Sequence, residues 1–316
     1  MLDEKDDLSW LARKADRLRQ PLDGAGPRAT SPECAALLAE LRALGVRGSQ
    51  EDRTLYHRRL PLGCLGCLCG KGSNFYVTGL CTRDCFFCFN EKPRRDEMVA
   101  HGIRVERAED AAEIARRYGL RSVGLSGGEP LLFPDRVLAL TRALRSLPVR
   151  VRVELYTNGD RADEGTLQAL REAGVDGVRF NLAANGFDAS PVERALRWFR
   201  EVVVEVPVVP SQAAQLEDMA RTLDELGVAC LVVHELFACR ENAGSVAVGG
   251  YSLSEKRHAA LQWEPVAGGE EAALRTLAFV ARRCRRLAAY YCSCRTQELI
   301  SRRGLLRRAR LAGALR

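Results

Sequence analysis

Two stretches decide the fold. Residues 75–88 read Phe75-Tyr76-Val77-Thr78-Gly79-Leu80-Cys81-Thr82-Arg83-Asp84-Cys85-Phe86-Phe87-Cys88, and residues 122–130 read Ser122-Val123-Gly124-Leu125-Ser126-Gly127-Gly128-Glu129-Pro130. Each opens as a short β-strand and runs into a loop of unusual chemistry: three cysteines in the first, a Gly-Gly-Glu-Pro turn in the second. Outward from them, strand and helix signals alternate. Ala108 to Tyr118 reads as a helix, followed by the strand at Ser122. Pro134 to Leu147 is a helix and Val149 to Tyr156 a strand. Gly165 to Ala173 precedes the strand Gly177 to Asn181, Pro191 to Phe199 the strand Val202 to Val206, and Ala213 to Leu226 the strand Cys230 to Val233. Six strands with helices between the later ones imply an α/β fold with a parallel sheet of βαβ units. Periodicity leaves an open doubly wound sheet and an incomplete barrel equally open. In both, ligands gather at the carboxyl ends of the strands. The cysteines, Gly127 to Pro130, Thr157-Asn158-Gly159, Asn181 and His234-Glu235 all fall there.

The chain has 316 residues, 47% hydrophobic and 28% charged, which excludes a disordered polymer and is ample for a buried core. No uncharged run approaches the roughly 18 residues of a membrane helix. Met1 to Asp7 is acidic, with no apolar segment behind it, so a signal peptide is not expected and a cytoplasmic protein without a membrane partner is. In that reducing compartment twelve cysteines point to metal rather than disulfides.

Cys81, Cys85 and Cys88 have the spacing C-x3-C-x2-C. Three soft thiolates can cap three irons of a [4Fe–4S] cube and leave the fourth open for chemistry. The competing reading is a structural zinc site with its fourth ligand elsewhere. With Phe87 before its last cysteine, this loop resembles the signature of radical S-adenosylmethionine (SAM) enzymes, and Gly127-Gly128-Glu129-Pro130 resembles that superfamily's second motif. The resemblance runs from about Ser73 to Glu235. It implies a six-stranded partial (β/α)6 barrel of radical SAM type with N- and C-terminal extensions: a helical extension over 1–60, the barrel over 61–245, and a basic extension over 246–316 carrying Cys284, Cys292 and Cys294. Shorter pieces, including Cys64-x2-Cys67 and His234-Glu235-Leu236, look like a group labelled similar to pyruvate formate-lyase activating enzyme.

The resemblance further implies roles. Cys81, Cys85 and Cys88 would hold a [4Fe–4S] cluster whose open iron takes the amino and carboxylate groups of SAM. Gly127, Gly128, Glu129 and Pro130 would border the methionine amino group, and Phe87 the adenine. Asn158 and Asn181 would reach the ribose or carboxylate, and Val206-Pro207-Val208 would give an adenine wall. One electron would cleave SAM to methionine and a 5′-deoxyadenosyl radical, which would abstract hydrogen from a small-molecule or peptide substrate. The electron would come from a donor such as flavodoxin or ferredoxin. A glycyl-radical-enzyme activase and an RNA-modifying enzyme are the alternatives within the superfamily; a metal-binding scaffold or electron carrier is the alternative outside it. No catalytic side chain is fixed by the sequence. His234, Glu235 and Tyr156 are candidates, with an ordinary strand-end hydrogen bond the competing reading for His234. Loop solvation competes for Glu129, and turn chemistry for Asn158 and Asn181.

Cys64-x2-Cys67-x-Cys69 and Cys292-x-Cys294 lie outside the expected barrel strands. Each group is too small alone, and some of the five together would ligate a second iron–sulfur cluster, with zinc as runner-up and coincidental thiols as the alternative. Cys34 and Cys230 read as core; His57, His101 and His258 read as surface. From Ala272 to Arg316 there are 12 arginines and one acid, so the tail carries +11 and the rest of the chain −4. Such a tail is either the solvated side of amphipathic helices or a surface for RNA, a phosphorylated substrate or an acidic peptide. A helix is expected from Glu270 to Tyr291.

Overall fold

The computed structural model describes residues 31–49, 54–254 and 263–313. Much of the helical extension expected over 1–60, and His258, lie outside them. The chain enters through α1 (Pro32–Ala43), which starts as its residues dictate: Ser31 Oγ accepts from Cys34 N at 3.2 Å, with Pro32 in the first turn. A hairpin of β1 (Arg47–Ser49) and β2 (Thr54–His57) leads to α2 (Leu62–Leu68) and β3 (Gly72–Thr78). A second hairpin, β4 (Met98–Ala100) and β5 (Ile103–Val105), turns on His101 and Gly102, both at positive φ. The βα rhythm then runs α3 (Ala108–Arg117), β6 (Ser122–Gly127), α4 (Pro134–Arg145), β7 (Arg152–Thr157), α5 (Glu164–Ala173) and β8 (Gly177–Phe180). It continues through α6 (Ser190–Leu196), β9 (Val202–Val208), α7 (Ala213–Leu226) and β10 (Cys230–Glu235). The remainder is β11 (Phe237–Ala238), α8 (Ala243–Val248), β12 (Glu264–Pro265), α9 (Gly269–Arg283), β13 (Ala288–Cys292) and α10 (Cys294–Leu311).

The six expected strands, β3 and β6 to β10, stand side by side in chain order, all parallel. This is the partial (β/α) barrel arrangement that the resemblance implies. The C-terminal segment adds a seventh parallel strand, β13, beside β10. The helix expected from Glu270 to Tyr291 therefore stops at Arg283. Asp224 explains the break: its carboxylate accepts from the backbone N–H of Arg285, Arg286 and Leu287 at 2.7 to 2.8 Å, which fixes an extended turn and feeds the chain into β13. The hairpin β1–β2 closes that edge, and β4–β5 closes the other.

Alternation along the strands sorts their side chains into two layers. Val123, Leu125, Val153, Leu155, Val178, Phe180, Val202, Val204, Leu231 and Val233 face the helices in one continuous core, which also takes in Cys34 and Cys284. The opposite face carries Tyr76, Glu154, Tyr156, Arg179, Glu205 and His234. On that inner face lies α2. Its glycines make this approach physically possible: a Cβ on Gly63 would stand 2.1 Å from Glu154 Oε2, and one on Gly66 would stand 2.6 Å from Ser122 Cβ. Helix α10, about 27 Å long for its 18 residues, crosses from β13 toward the opposite edge. On the way Arg303 donates to Leu68 O at the end of α2 at 2.6 Å, and at that edge Arg308 donates to His101 O at 2.8 Å. Several tail arginines thus serve the protein's own carbonyls. His101, expected at the surface, is half-buried: its ring meets Ser73 Oγ at 2.8 Å and lies 5.1 Å from Tyr118. No described helix is long and apolar enough to cross a membrane.

Candidate active site

The C-terminal ends of β3, β6 and β7 are bound into one unit. β3 delivers Cys81, Cys85 and Cys88 on an irregular loop, each half-buried. Every residue of the x3 spacer is anchored. Thr82 Oγ1 donates to Asp160 at 2.6 Å, and Arg83 grips the same carboxylate with two bonds of 2.8 and 2.7 Å. Asp84 takes Lys92 at 3.0 Å and Arg94 at 2.9 Å. The sequence reading missed Asp160. It stands two residues beyond Asn158 on the turn after β7, and its bidentate partner Arg83 holds its carboxyl below the ordinary carboxylate value. Burial pushes the Cys81 thiol up and the Cys85 thiol up to about 11, with the Cys88 sulfur adding to both and the Cys81 sulfur to the second. With their thiols so raised, Cys81 and Cys85 would need an electron-poor partner to become thiolates.

The Gly-Gly-Glu-Pro turn after β6 packs directly on this loop. Gly128 N donates to Thr78 O and Glu129 N to Leu80 O, both at 2.8 Å. A Cβ on Gly128 would lie 1.9 Å from Leu80 O, and one on Gly127, at φ +120°, 2.2 Å from Thr78 O. The glycines are there for backbone-to-backbone contact between two strand ends. Glu129 is fully buried. Its Oε1 accepts from Leu131 N at 2.9 Å and Thr157 Oγ1 at 2.8 Å, and its Oε2 from Asn158 N at 2.8 Å. Burial raises its carboxyl above the ordinary value, against those three bonds. A carboxylate offers about four acceptor positions, so one remains, on Oε2. Pro130 opens the short 3-10 turn behind it. Asn90, also missed in the sequence, donates to Gly127 O at 2.5 Å.

The other site candidates divide by location. Asn158 makes an Asx turn, with Oδ1 accepting from Asp160 N at 2.9 Å, and its Nδ2 reaches Thr82 Oγ1 at 2.8 Å and Cys81 Sγ at 3.9 Å. It braces the cysteine loop. Asn181 ends β8 with its Oδ1 buried and without a partner, and Ser126 Oγ near the end of β6 is likewise unpartnered. Of Val206-Pro207-Val208 only Pro207 alternates onto the inner face; both valines belong to the outer core. Phe87 packs edge-on to Phe86 at 5.3 Å, and Phe86 stacks on Tyr251 at 5.6 Å. Phe89, 52% exposed, continues this aromatic rim toward Phe237.

His234 Nε2 meets Glu205 at 2.8 Å, and Tyr156 lies under the Arg179 guanidinium at 5.3 Å. Both are on the inner face. Glu235 is buried and accepts from Cys294 N at 3.0 Å, which supports the turn from β13 into α10.

The remaining cysteines fall into three places. Cys64, Cys67 and Cys292 lie on the inner face; burial first, with the neighbouring Cys292 sulfur adding to it, pushes the Cys64 and Cys67 thiols up. Cys69 is exposed, and Cys294 packs with Phe237 and Cys239 in a separate cluster. Of the five cysteines from which an auxiliary set is expected to draw, Cys64 and Cys292 share one buried cluster and Cys294 lies in another. Among the described residues no three thiol, imidazole or carboxylate groups already converge on a single bare ion. A cube takes its thiolates at separate corners instead. Three soft donors on one braced loop, with unpartnered acceptors at the neighbouring strand ends, suit a cluster with a polar organic ligand beside it.

The model of the radical SAM superfamily matches residues 75–207. A Methanocaldococcus jannaschii protein, named by inference a glycyl-radical enzyme activating enzyme, is 27% identical over 232 residues, covering 69% of this chain and 60% of that protein. A Methanocella arvoryzae protein, named by inference a GTP 3′,8-cyclase, is 35% identical over 106 residues, 34% of this chain and 32% of that one. Among solved structures, methylornithine synthase is similar with a TM-score of 0.49 at 12% identity, covering 93% of this chain and 83% of that one. The chain spans less than two thirds of the length of either sequence relative.

Proposed function

We propose that this chain, which carries a radical SAM domain and is an enzyme of that superfamily, abstracts a hydrogen atom from a protein or peptide substrate at the C-terminal face of its sheet. When bound, a [4Fe–4S] cluster would supply one electron to cleave SAM into methionine and a 5′-deoxyadenosyl radical. Cys81, Cys85 and Cys88 would hold the cluster. Asp160, through Thr82 and Arg83, keeps their loop in shape, and Gly127 and Gly128 lock that loop to the end of β6. The spare acceptor on Glu129 Oε2 would receive the SAM ammonium, and Asn181 Oδ1 and Ser126 Oγ its other polar groups, since buried unpartnered atoms gain most from a ligand hydrogen bond. Phe86, Phe87 and Tyr251 would exclude water from the reacting region.

The choice of a polypeptide substrate is carried by the extent of likeness. The activating-enzyme relative matches 69% of this chain, whereas the GTP-cyclase relative matches 34%. Phe89 supports it, because a large exposed apolar side chain one residue from Cys88 suits docking of another chain. The test is 5′-deoxyadenosine formation by reconstituted protein with SAM and dithionite, with and without a candidate glycyl-radical partner encoded beside its gene. At least a tenfold stimulation, with a glycyl radical on the partner by electron paramagnetic resonance, is expected. Stimulation by GTP and by no polypeptide would overturn the assignment.

A further inference from the structure

We propose that the N-terminal end of the sheet carries a second binding site, a cleft for a free nucleoside diphosphate: a flat ring joined to a pyrophosphate group. This does not rest on the radical SAM reading. The cleft encloses about 610 Å³, within the range of small-ligand sites. It opens where β7, β8 and β9 begin. The cysteine loop stands beyond their other ends, about 20 Å away for the six residues of β7.

Charge carries the first half of the assignment. Five arginines line the cleft against two carboxylates, and arginines already hold both carboxylates. Asp176 accepts from Arg145 at 2.5 Å and from Arg150 at 2.6 Å. Glu201 takes Arg59 at 3.2 Å and faces Arg152 Nη2 at 3.9 Å. Arg171, in the last turn of α5, and Arg200, just before β9, are exposed, and their guanidiniums make no hydrogen bond or ion pair among the described residues. Arg152 adds a third unmet donor. Its Nε is fixed on Glu154 Oε1 at 2.7 Å, while its Nη2 is buried and has no acceptor. A buried N–H of this kind gains most from a ligand oxygen. Guanidiniums match phosphate oxygens in shape as well as charge. Three of them from separate segments suit a group that spreads its charge over several oxygens, as a pyrophosphate does.

Trp198 carries the second half. It lines the same cleft beside Leu196. Glu164 Oε1 accepts from its Nε1 at 3.2 Å and pairs with Arg197 at 3.5 Å, so the indole is held in one orientation. A half-buried indole with an aliphatic neighbour gives one wall of the cleft a flat apolar surface on which a base can stack. An inorganic anion would leave that wall uncovered. The enclosed volume suits one nucleotide, which favours a free nucleotide over an RNA strand.

The experiment titrates the reconstituted full-length protein with ADP and with inorganic pyrophosphate by calorimetry, with SAM saturating so that the C-terminal face is occupied. One site per chain is expected, with ADP the tighter ligand. Arg171→Ala/Arg200→Ala should weaken both by about tenfold or more. Arg104→Ala/Arg107→Ala, which removes two arginines of exposed ion pairs elsewhere, should change neither. Trp198→Leu should weaken ADP and leave pyrophosphate unchanged. The chain has three tryptophans, so in Trp10→Phe/Trp263→Phe only Trp198 remains, and ADP should quench its fluorescence. That readout stands even if Trp198→Leu misfolds. No binding of ADP, ADP binding retained in Arg171→Ala/Arg200→Ala, ADP no tighter than pyrophosphate, or a single-stranded oligoribonucleotide binding more tightly than ADP at the same arginines would each overturn the proposal.

Discussion

Glu129 and Gly128 show how one short motif does two jobs. From sequence, the glycines were expected to approach a ligand and the acid to bind an ammonium. The structure gives both a prior duty: the glycines let two strand ends touch, and of the carboxylate's three occupied acceptor positions two tie the end of β6 to the end of β7 while the third takes Leu131 N in the same turn. Gly128→Ala is therefore predicted to cost about 3 kcal/mol, the upper range for overpacking, because the obstacle is backbone that cannot turn aside. Thermal melting and iron content per chain should fall together. The residue scale also carries a pH dependence. Burial, reinforced by Arg308, holds the His101 imidazole down to about 4. A depressed histidine is neutral in the folded state, so its stability is fully present above the unfolded value near 6.5 and is lost as pH falls toward 4. Between pH 7.5 and 5 the wild type should lose up to about 2 kcal/mol that His101→Gln does not lose, read from denaturant melts at the two pH values.

At the scale of elements, the legible parts were those whose period was undisturbed. The outer faces of β6 to β10 are runs of Val and Leu bounded by glycines, and all five strands stand where expected. β13 was hidden because Ala-rich, Arg-rich sequence continues a helical pattern. What ends the helix is a carboxylate some sixty residues away, a tertiary contact no local pattern records. Asp224→Ala should thus leave three N–H groups of that turn without their acceptor and destabilise the protein by about 2 kcal/mol, measured by urea melts, with Asp224→Asn recovering part of the loss. The β4–β5 hairpin did have a signal, a His-Gly pair between Met98-Val99-Ala100 and Ile103-Arg104-Val105. Helix α2 had almost none, because Gly63, Gly66 and Gly70 argue against a helix until the inner face that requires them is known.

For the whole molecule, the two chain ends matter more than their composition conveys. The tail's charge reads as a binding surface from sequence. In the fold, Arg286 and Arg303 serve the chain's own carbonyls, and Arg308 also lies over the Tyr118 ring. The Arg303 and Arg308 contacts carry α10 across the inner side while the C-terminal face keeps the cysteine loop and its aromatic rim. The cysteine trio and the Gly-Gly-Glu-Pro turn were readable because each has a fixed local spacing. Asp160 and Asn90 were not, since their meaning lies in which loop they hold. The account stands most directly on one measurement: 5′-deoxyadenosine formed from SAM by the anaerobically reconstituted, dithionite-reduced protein. It predicts formation by the wild type and none by Cys81→Ala/Cys85→Ala/Cys88→Ala. No 5′-deoxyadenosine from wild-type protein with its cluster spectroscopically present, whatever polypeptide is added, would contradict it.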